Sequence, residues 1–143
     1  MTVANILRDK GRDVVTTQAH RTLAETIALL ADRKVGAVVV ADAERRVLGI
    51  LSERDVVRAL ATGGAGALSE PVSRHMTAHV ETVDEGATID SVMTTMTTRR
   101  FRHLPVVDHN RLSGIISIGD VVKRHVDALD GERRALQEYI ATA

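Results

Sequence analysis

Two serine–aspartate pairs have residue types and a spacing that suit binding chemistry. Ser52 and Asp55 lie in "GILSERDVV", and Ser117 and Asp120 lie in "GIISIGDVV". Each pair stands where a β-branched run gives way to a helical pattern. An aspartate carboxylate has two acceptor oxygens and can bind both vicinal hydroxyls of a ribose. The free N–H groups at a helix start favour a phosphate, so the pattern suits a ribose and a phosphate together.

The same pattern also has a purely structural explanation. A serine N-cap followed three residues later by an acid is close to a capping box, which satisfies free backbone N–H groups at a helix start. A single copy would leave the two explanations evenly balanced. The second copy favours binding, because each pair also follows a glycine and two apolar residues. A glycine there lets a ligand or another backbone approach closely.

Both pairs belong to two copies of a longer unit. The segment "TLAETIALLADRKVGAVVVAD" (22–42) returns as "TIDSVMTTMTTRRFRHLPVVD" (88–108), and the repeat spacing is about 65 residues. Each copy contains a helical apolar pattern, two β-branched runs joined by a polar turn, and a second helical pattern. A short extended piece precedes each first helix. The sequence therefore predicts an α/β (α+β) fold made of two β-α-β-β-α units.

Segments outside the repeats are predicted to form additional helices. The predicted order is an N-terminal helix and linker, repeat 1, repeat 2 and a C-terminal helix, at 1–12, 13–70, 71–130 and 131–143. The last helix is expected to begin near Gly131, with Leu136 and Ile140 on an apolar stripe. A short helix is marginal by itself, so each terminal helix is expected to pack on the repeats or on a second chain.

Composition excludes several classes of function. Lysine and arginine together number 19, as do aspartate and glutamate, so no overall field attracts nucleic acid or an anionic membrane. The absence of cysteine excludes disulfides and thiolate metal sites. Phe101 and Tyr139 are the sole aromatic residues, too few for base stacking. No apolar run approaches a membrane span or a signal-peptide core, so we expect a cytoplasmic protein.

These motifs resemble a known family. "RFRHLPVVD", "GILSERDVV" and "GIISIGDVV", at their repeat spacing, resemble a tandem pair of cystathionine-β-synthase (CBS) domains, often called a Bateman module. The resemblance covers nearly all of residues 1–130. It implies two units related by pseudo-twofold symmetry, packed through their sheets with two clefts between them, and a homodimer. Members of the family bind AMP, ADP or ATP, and some bind S-adenosylmethionine or NAD(H). The resemblance implies no catalytic cofactor and no metal.

Matching the family's motif residue by residue assigns two nucleotide sites. Site 1 comprises Thr16, Val35, Gly36, Ala37, Ser52, Glu53, Arg54 and Asp55. Site 2 comprises Thr82, Arg102, His103, Leu104, Pro105, Ser117, Ile118, Gly119, Asp120 and Arg124. The sites are expected to differ, because Arg102 and His103 stand where the first copy has Gly36 and Ala37. Clustered cations favour an anionic ligand, so site 2 is expected to be the better nucleotide site.

Three functions are considered for this sequence. The leading hypothesis is a regulatory module that binds an adenine nucleotide (AMP, ADP, ATP or NAD(H)) and signals to an unknown partner protein. The alternative is a ligand-free structural or dimerisation module that acts through protein–protein interaction. An enzyme is least favoured, because no general base, nucleophile or metal pair lies beside either motif in the sequence.

Overall fold

The computed structural model describes residues 1–142, and its elements follow the predicted order twice. Repeat 1 contains β1 (Thr16–Thr17), α2 (Leu23–Arg33), β2 (Ala37–Ala41), β3 (Val47–Ser52) and α3 (Glu53–Gly63). Repeat 2 contains β5 (Val83–Asp84), α4 (Ile89–Arg99), β6 (His103–Asp108), β7 (Arg111–Ser117) and α5 (Ile118–Thr142). The remaining elements are α1 (Val3–Lys10), 3₁₀ turns at Gly64–Ser69 and Val72–Arg74, and β4 (Thr77–Ala78).

Two small sheets place the motifs at equivalent positions. The first sheet has the order β1-β2-β3-β4 and the second β5-β6-β7. In each repeat the short first strand runs parallel to the next strand, which pairs antiparallel with the third. Ala37 lies opposite Ser52, and His103 lies opposite Ser117. The start of the second strand therefore lies beside each serine–aspartate motif.

Apolar side chains pack the repeats together through their sheets. Each repeat has its own core between helices and sheet, and a third cluster contains Ala37, Val39 and Ile50 from the first sheet and Leu112 from the second. The Leu112 N–H also donates to the Arg45 carbonyl at 2.8 Å. This arrangement confirms the predicted packing of two β-α-β-β-α units through their sheets.

The N-terminal helix packs on repeat 2, although repeat 1 follows it in the sequence. Val3, Ile6 and Leu7 are at most 3% exposed and belong to the core of repeat 2. A Cβ atom on Gly114 would lie 2.6 Å from Leu7 Cδ2, so the glycine in β7 allows the helix to approach. The expected packing of this helix on the repeats is confirmed.

The prediction of a separate C-terminal helix is wrong. One continuous α5 of 25 residues runs through Gly131. A single glycine costs only about 1 kcal/mol relative to alanine inside a helix, and the residues after Gly131 are good helix formers that offset this cost. Leu129, Leu136, Tyr139 and Ile140 are more than half exposed. Neither α5 nor any other helix within residues 1–142 is long and apolar enough to cross a membrane.

Candidate functional site

A cavity of about 260 Å³ lies between the two repeats. Repeat 1 lines it with Gly36, Ile50, Ser52, Glu53, Arg54, Asp55 and Arg58. The opposite wall comes from the end of α4 and the start of β6: Arg100, Phe101, Arg102, His103 and Leu104. Thr77, Val80 and Glu81, from the segment that connects the repeats, complete it. The cavity thus combines one serine–aspartate motif with the arginines that precede β6 in the other repeat.

The first motif is both a helix cap and a wall of this cavity. The Ser52 N–H donates to Asp55 Oδ2 at 2.8 Å, and the Asp55 N–H donates to Ser52 Oγ at 3.4 Å. These reciprocal bonds form the capping box that starts α3. Asp55 is 7% exposed, so the cap holds a buried carboxylate in a fixed orientation. The structural and the binding explanations of the motif are therefore compatible.

The second oxygen of Asp55 has only long contacts. Asp55 Oδ1 lies 3.4 Å from the Thr77 hydroxyl and 3.8 Å from an Arg58 guanidinium nitrogen. Both distances exceed those of strong hydrogen bonds to a carboxylate, about 2.5 to 2.9 Å. Oδ1 can therefore accept shorter bonds from a hydroxyl donor in the cavity.

Four arginines make the cavity suitable for an anion. Arg54 and Arg58 project from the first turns of α3, and Arg100 and Arg102 lie at the start of the opposite wall. They face three carboxylates, of which Glu81 is 3.1 Å from Arg99. Arg100 has a left-handed φ of 59°, which ends α4 and directs the chain into β6. The Ile118 N–H then donates to the Arg102 carbonyl at 2.8 Å.

His103 lies on the wall that both motifs share. Burial lowers the pKa of His103, and the nearby charges of Lys10 and Arg102 lower it further, against the opposite effect of Asp120 and Glu53. The ring is therefore neutral near pH 7 and can donate one hydrogen bond and accept another. Its Cε1 would lie 4.0 Å from a Cβ on Gly36, so the starts of β2 and β6 lie close together.

The second motif forms the same cap but has a different neighbour. The Ser117 N–H donates to Asp120 Oδ2 at 2.8 Å, and the Asp120 N–H donates to Ser117 Oγ at 3.1 Å. The Lys10 ammonium also donates to Asp120 Oδ2, at 2.7 Å. Burial raises the pKa of Asp120, but the bonds from Lys10 and Ser117 outweigh it, and the pKa lies below its usual range. The carboxylate of Asp120 is therefore paired with a lysine of the same chain, from α1.

The structure regroups the residues assigned from sequence. Gly36, Ser52, Glu53, Arg54 and Asp55 lie together as expected. Arg102, His103 and Leu104, which were assigned with Asp120, also line the cavity of Asp55. The start of β6 therefore lies between the two motifs, because His103 pairs with Ser117 and the Arg102 carbonyl accepts from Ile118.

The other assigned residues lie outside this cavity. Thr16 lines a separate groove beside Arg21 and Asp42, and Val35 lines a depression near Lys34. Ala37 and Pro105 are buried within strands, and Thr82 is exposed. Ser117, Ile118, Gly119 and Asp120 surround the start of α5, and Arg124 is paired with Asp9.

Sequence reasoning missed the wall supplied by the connecting segment. Thr77 pairs with Ile50 in the first sheet, and Val80 and Glu81 follow it toward the cavity. This segment lies at the start of repeat 2 and has no periodic apolar pattern. The two-residue strand β4, which positions Thr77, forms only when the folded sheet offers it an edge.

The fold and cavity define a tandem pair of α/β units with a ligand-sized cleft between them. The family model for the CBS domain matches residues 3–62 and 72–127. The chain therefore belongs to the CBS-domain family, and the two matches correspond to its two repeats.

Solved structures and curated proteins agree with this assignment. A crystal structure of a CBS-domain containing protein from Agrobacterium tumefaciens is 48% identical, with a TM-score of 0.83, and the match covers 87% of this chain and 99% of that one. The mitochondrial CBS domain-containing protein CBSX3 of Arabidopsis thaliana is 31% identical over 97% of this chain and 71% of its own length. The CBS domain pair of the protein MJ0100 was crystallised with 5′-methylthioadenosine and S-adenosyl-L-methionine. It shares the fold at a TM-score of 0.79 and 22% identity, with 90% of this chain and 98% of that chain covered.

Proposed function

We propose that this protein is a regulatory module that binds an adenine nucleotide between its CBS repeats and signals its presence to a partner protein, without catalysing a reaction. One observation carries the proposal. The buried carboxylate of Asp55, fixed by its helix cap, faces Arg100 and Arg102, just before β6, across a cavity. This cavity, rather than the Asp120 motif, is the proposed nucleotide site.

Each part of a nucleotide has a complementary group in the cavity. The ribose hydroxyls would donate to Asp55 Oδ1, which has only long contacts. The adenine ring would lie against the apolar part of the wall, formed by Ile50, Val80, Phe101 and Leu104. Phosphates would bind the arginines, whose guanidinium groups suit phosphate oxygens.

The charge of the cavity supports a phosphate-bearing ligand. The MJ0100 domain pair, named in complex with two adenosine derivatives, motivates the adenosine class. S-adenosyl-L-methionine carries a sulfonium cation where a nucleotide carries a phosphate, so it offers the four arginines fewer anionic groups than a nucleotide does. AMP, ADP, ATP and NAD(H) carry anions at that position. We therefore expect these nucleotides to bind more tightly than either adenosine derivative.

A thermal-shift panel followed by calorimetric titration tests this function. AMP, ADP, ATP, NADH, 5′-methylthioadenosine and S-adenosyl-L-methionine would each be added to nucleotide-free protein. A ligand at 100 times its Kd adds about 2.7 kcal/mol to the stability of the folded state, which visibly raises Tm. Asp55→Asn is expected to weaken binding by about tenfold or more, because removal of the charge weakens the bonds from the ribose hydroxyls.

Asp32→Asn is the matched control for this experiment. It removes the same charge from an exposed position on α2, away from the cavity, and should leave affinity unchanged. Circular dichroism would show that both variants keep their fold. If no nucleotide raises Tm, the alternative of a ligand-free interaction module is favoured instead.

A second copy of the chain is the proposed partner for α5. Val122, Val126, Leu129, Leu136 and Ile140 are exposed at spacings of three, four and seven, which is typical of a coiled-coil seam. Arg133 occupies the remaining position of this seam. On α3, Val57 is also 68% exposed.

Light scattering should show that the protein is a dimer, and the double variant Leu129→Glu with Leu136→Glu should dissociate it. The control Ala128→Glu with Ala135→Glu, off the seam, should keep the dimer, and a monomeric wild type would overturn this proposal.

A further inference from the structure

The last residue of α1 contacts the second serine–aspartate motif. The Lys10 ammonium donates to Asp120 Oδ2 at 2.7 Å and to the Ile115 carbonyl at 3.0 Å. The side chains of Lys10 and Asp120 are 35% and 25% exposed, so the contact is partly shielded from water. The oxygen that Lys10 binds is also the one that caps α5.

Several contacts fix Lys10 in this position. The buried side chains of Val3, Ile6 and Leu7 anchor α1 in the core of repeat 2. Asp9, one residue before the lysine, is paired with Arg124 of α5. Gly11 then takes a φ of 99°, which ends the helix immediately after Lys10. Together these contacts position the ammonium group at the Asp120 motif.

The first motif has no equivalent cation at this distance. Asp55 Oδ2 accepts bonds from its own cap, from the Ser52 backbone and hydroxyl. The nearest cation to its carboxylate within residues 1–142 is Arg58, at 3.8 Å from Oδ1. Two motifs of the same sequence pattern therefore differ in whether a charged donor from elsewhere in the chain occupies the carboxylate.

We infer that Lys10 determines which motif accepts a nucleotide: it closes the Asp120 motif to a ribose and leaves the Asp55 motif as the single site of each chain. The Lys10 ammonium neutralises the Asp120 carboxylate, so bonds from ribose hydroxyls to this carboxylate are weaker than bonds to the Asp55 carboxylate, which has no cation at that distance. The inference rests on the proposed nucleotide function, but its experiment separates the two.

Calorimetric titration with AMP tests the inference by counting sites. Wild-type protein should bind one AMP per chain. Lys10→Met keeps a side chain of similar bulk and removes the charge, and it should bind two. Lys10→Met combined with Asp120→Asn should return to one site, and Lys10→Arg, which retains a cationic donor, should also bind one. Thermal unfolding of each variant would check that α1 remains packed.

The outcomes distinguish the inference from the proposed function. One site in both wild type and Lys10→Met overturns the inference and leaves the function standing. Two sites in wild type also overturn it. A site that appears only in Lys10→Met and depends on Asp120 supports the closing role of Lys10 and overturns the assignment of Asp55. If neither protein binds AMP, both are overturned.

Discussion

The two serine–aspartate motifs share a spacing and a local geometry but have different neighbours. Asp55 lies on a cavity wall across from Arg100 and Arg102, which precede β6, whereas Asp120 is bound by Lys10. In both motifs a serine N–H donates to the aspartate at 2.8 Å. The local sequence therefore determines the cap, and the element packed across from the cap determines what the carboxylate can bind.

The glycines that precede the two motifs also share a local sequence but have different neighbours. Gly49 lies in β3 against β4, and Gly114 lies in β7 against α1. Each occupies the same position of its repeat, and each has a close neighbour that leaves no room for a Cβ atom. One neighbour is strand backbone and the other is a leucine side chain, so equivalent glycines accommodate different elements.

The largest expected effect is the loss of folding stability when either of these two glycines is replaced by alanine. A Cβ on residue 49 would lie 2.6 Å from the Thr77 carbonyl oxygen, which is backbone that cannot move without loss of β4. A Cβ on residue 114 would meet the end of the Leu7 side chain, which can change rotamer. Gly49→Ala should therefore destabilise the protein by about 1 to 3 kcal/mol, and Gly114→Ala by less. Urea unfolding measures both, and an equal or reversed order would contradict this reading of the contacts.

A smaller effect, on the affinity for ATP, is expected when an arginine near either motif is replaced by alanine. Arg102 lines the cavity, and Arg124, assigned to the same site from sequence, is instead paired with Asp9. Arg102→Ala should weaken ATP binding by about tenfold, since one charge-assisted contact is lost. Adenosine affinity should change little in that variant, and Arg124→Ala should leave both affinities unchanged. Loss of ATP affinity in Arg124→Ala would place the phosphates near α5.

The smallest expected effect is on the pH dependence of stability. The pKa of His103 is lowered in the folded state, first by burial and then by Lys10 and Arg102, against Asp120 and Glu53. The unfolded chain therefore binds more protons at mildly acidic pH. The contribution of His103 to folding stability is present above its pKa in the unfolded chain, about 6.5. It is lost as the pH falls through the lower pKa of the folded state.

His103→Gln should flatten this part of the profile. The difference in Tm between pH 8 and pH 5 should be smaller in the variant than in wild type. Asp120 acts in a lower range: its folded pKa is also lowered, so its contribution is present above about 3.9 and is lost as pH falls further. Lys10→Met should reduce the loss below pH 4. An unchanged profile in either variant would contradict the corresponding assignment.

The repeat made most of the fold predictable from sequence, but not the contacts between distant segments. The β-α-β-β-α order follows from local periodicity, and the two caps follow from serine and aspartate three residues apart. The cavity wall at Arg102 could not be predicted in this way, because no local pattern shows that the residues before β6 line a cavity with the other repeat. The Lys10–Asp120 contact joins residues 110 positions apart, and no local pattern reports such a pair.

The length of α5 has a mechanical consequence. Its 25 residues form a helix of about 37 Å that begins beside Lys10, and its residues 126–142 are exposed. A tilt of about 10° at the start of the helix displaces the tip by about 6 Å, from the helical rise alone. A change of angle where α1 meets α5 would therefore be amplified along the helix, toward the segment that is proposed to contact a second copy.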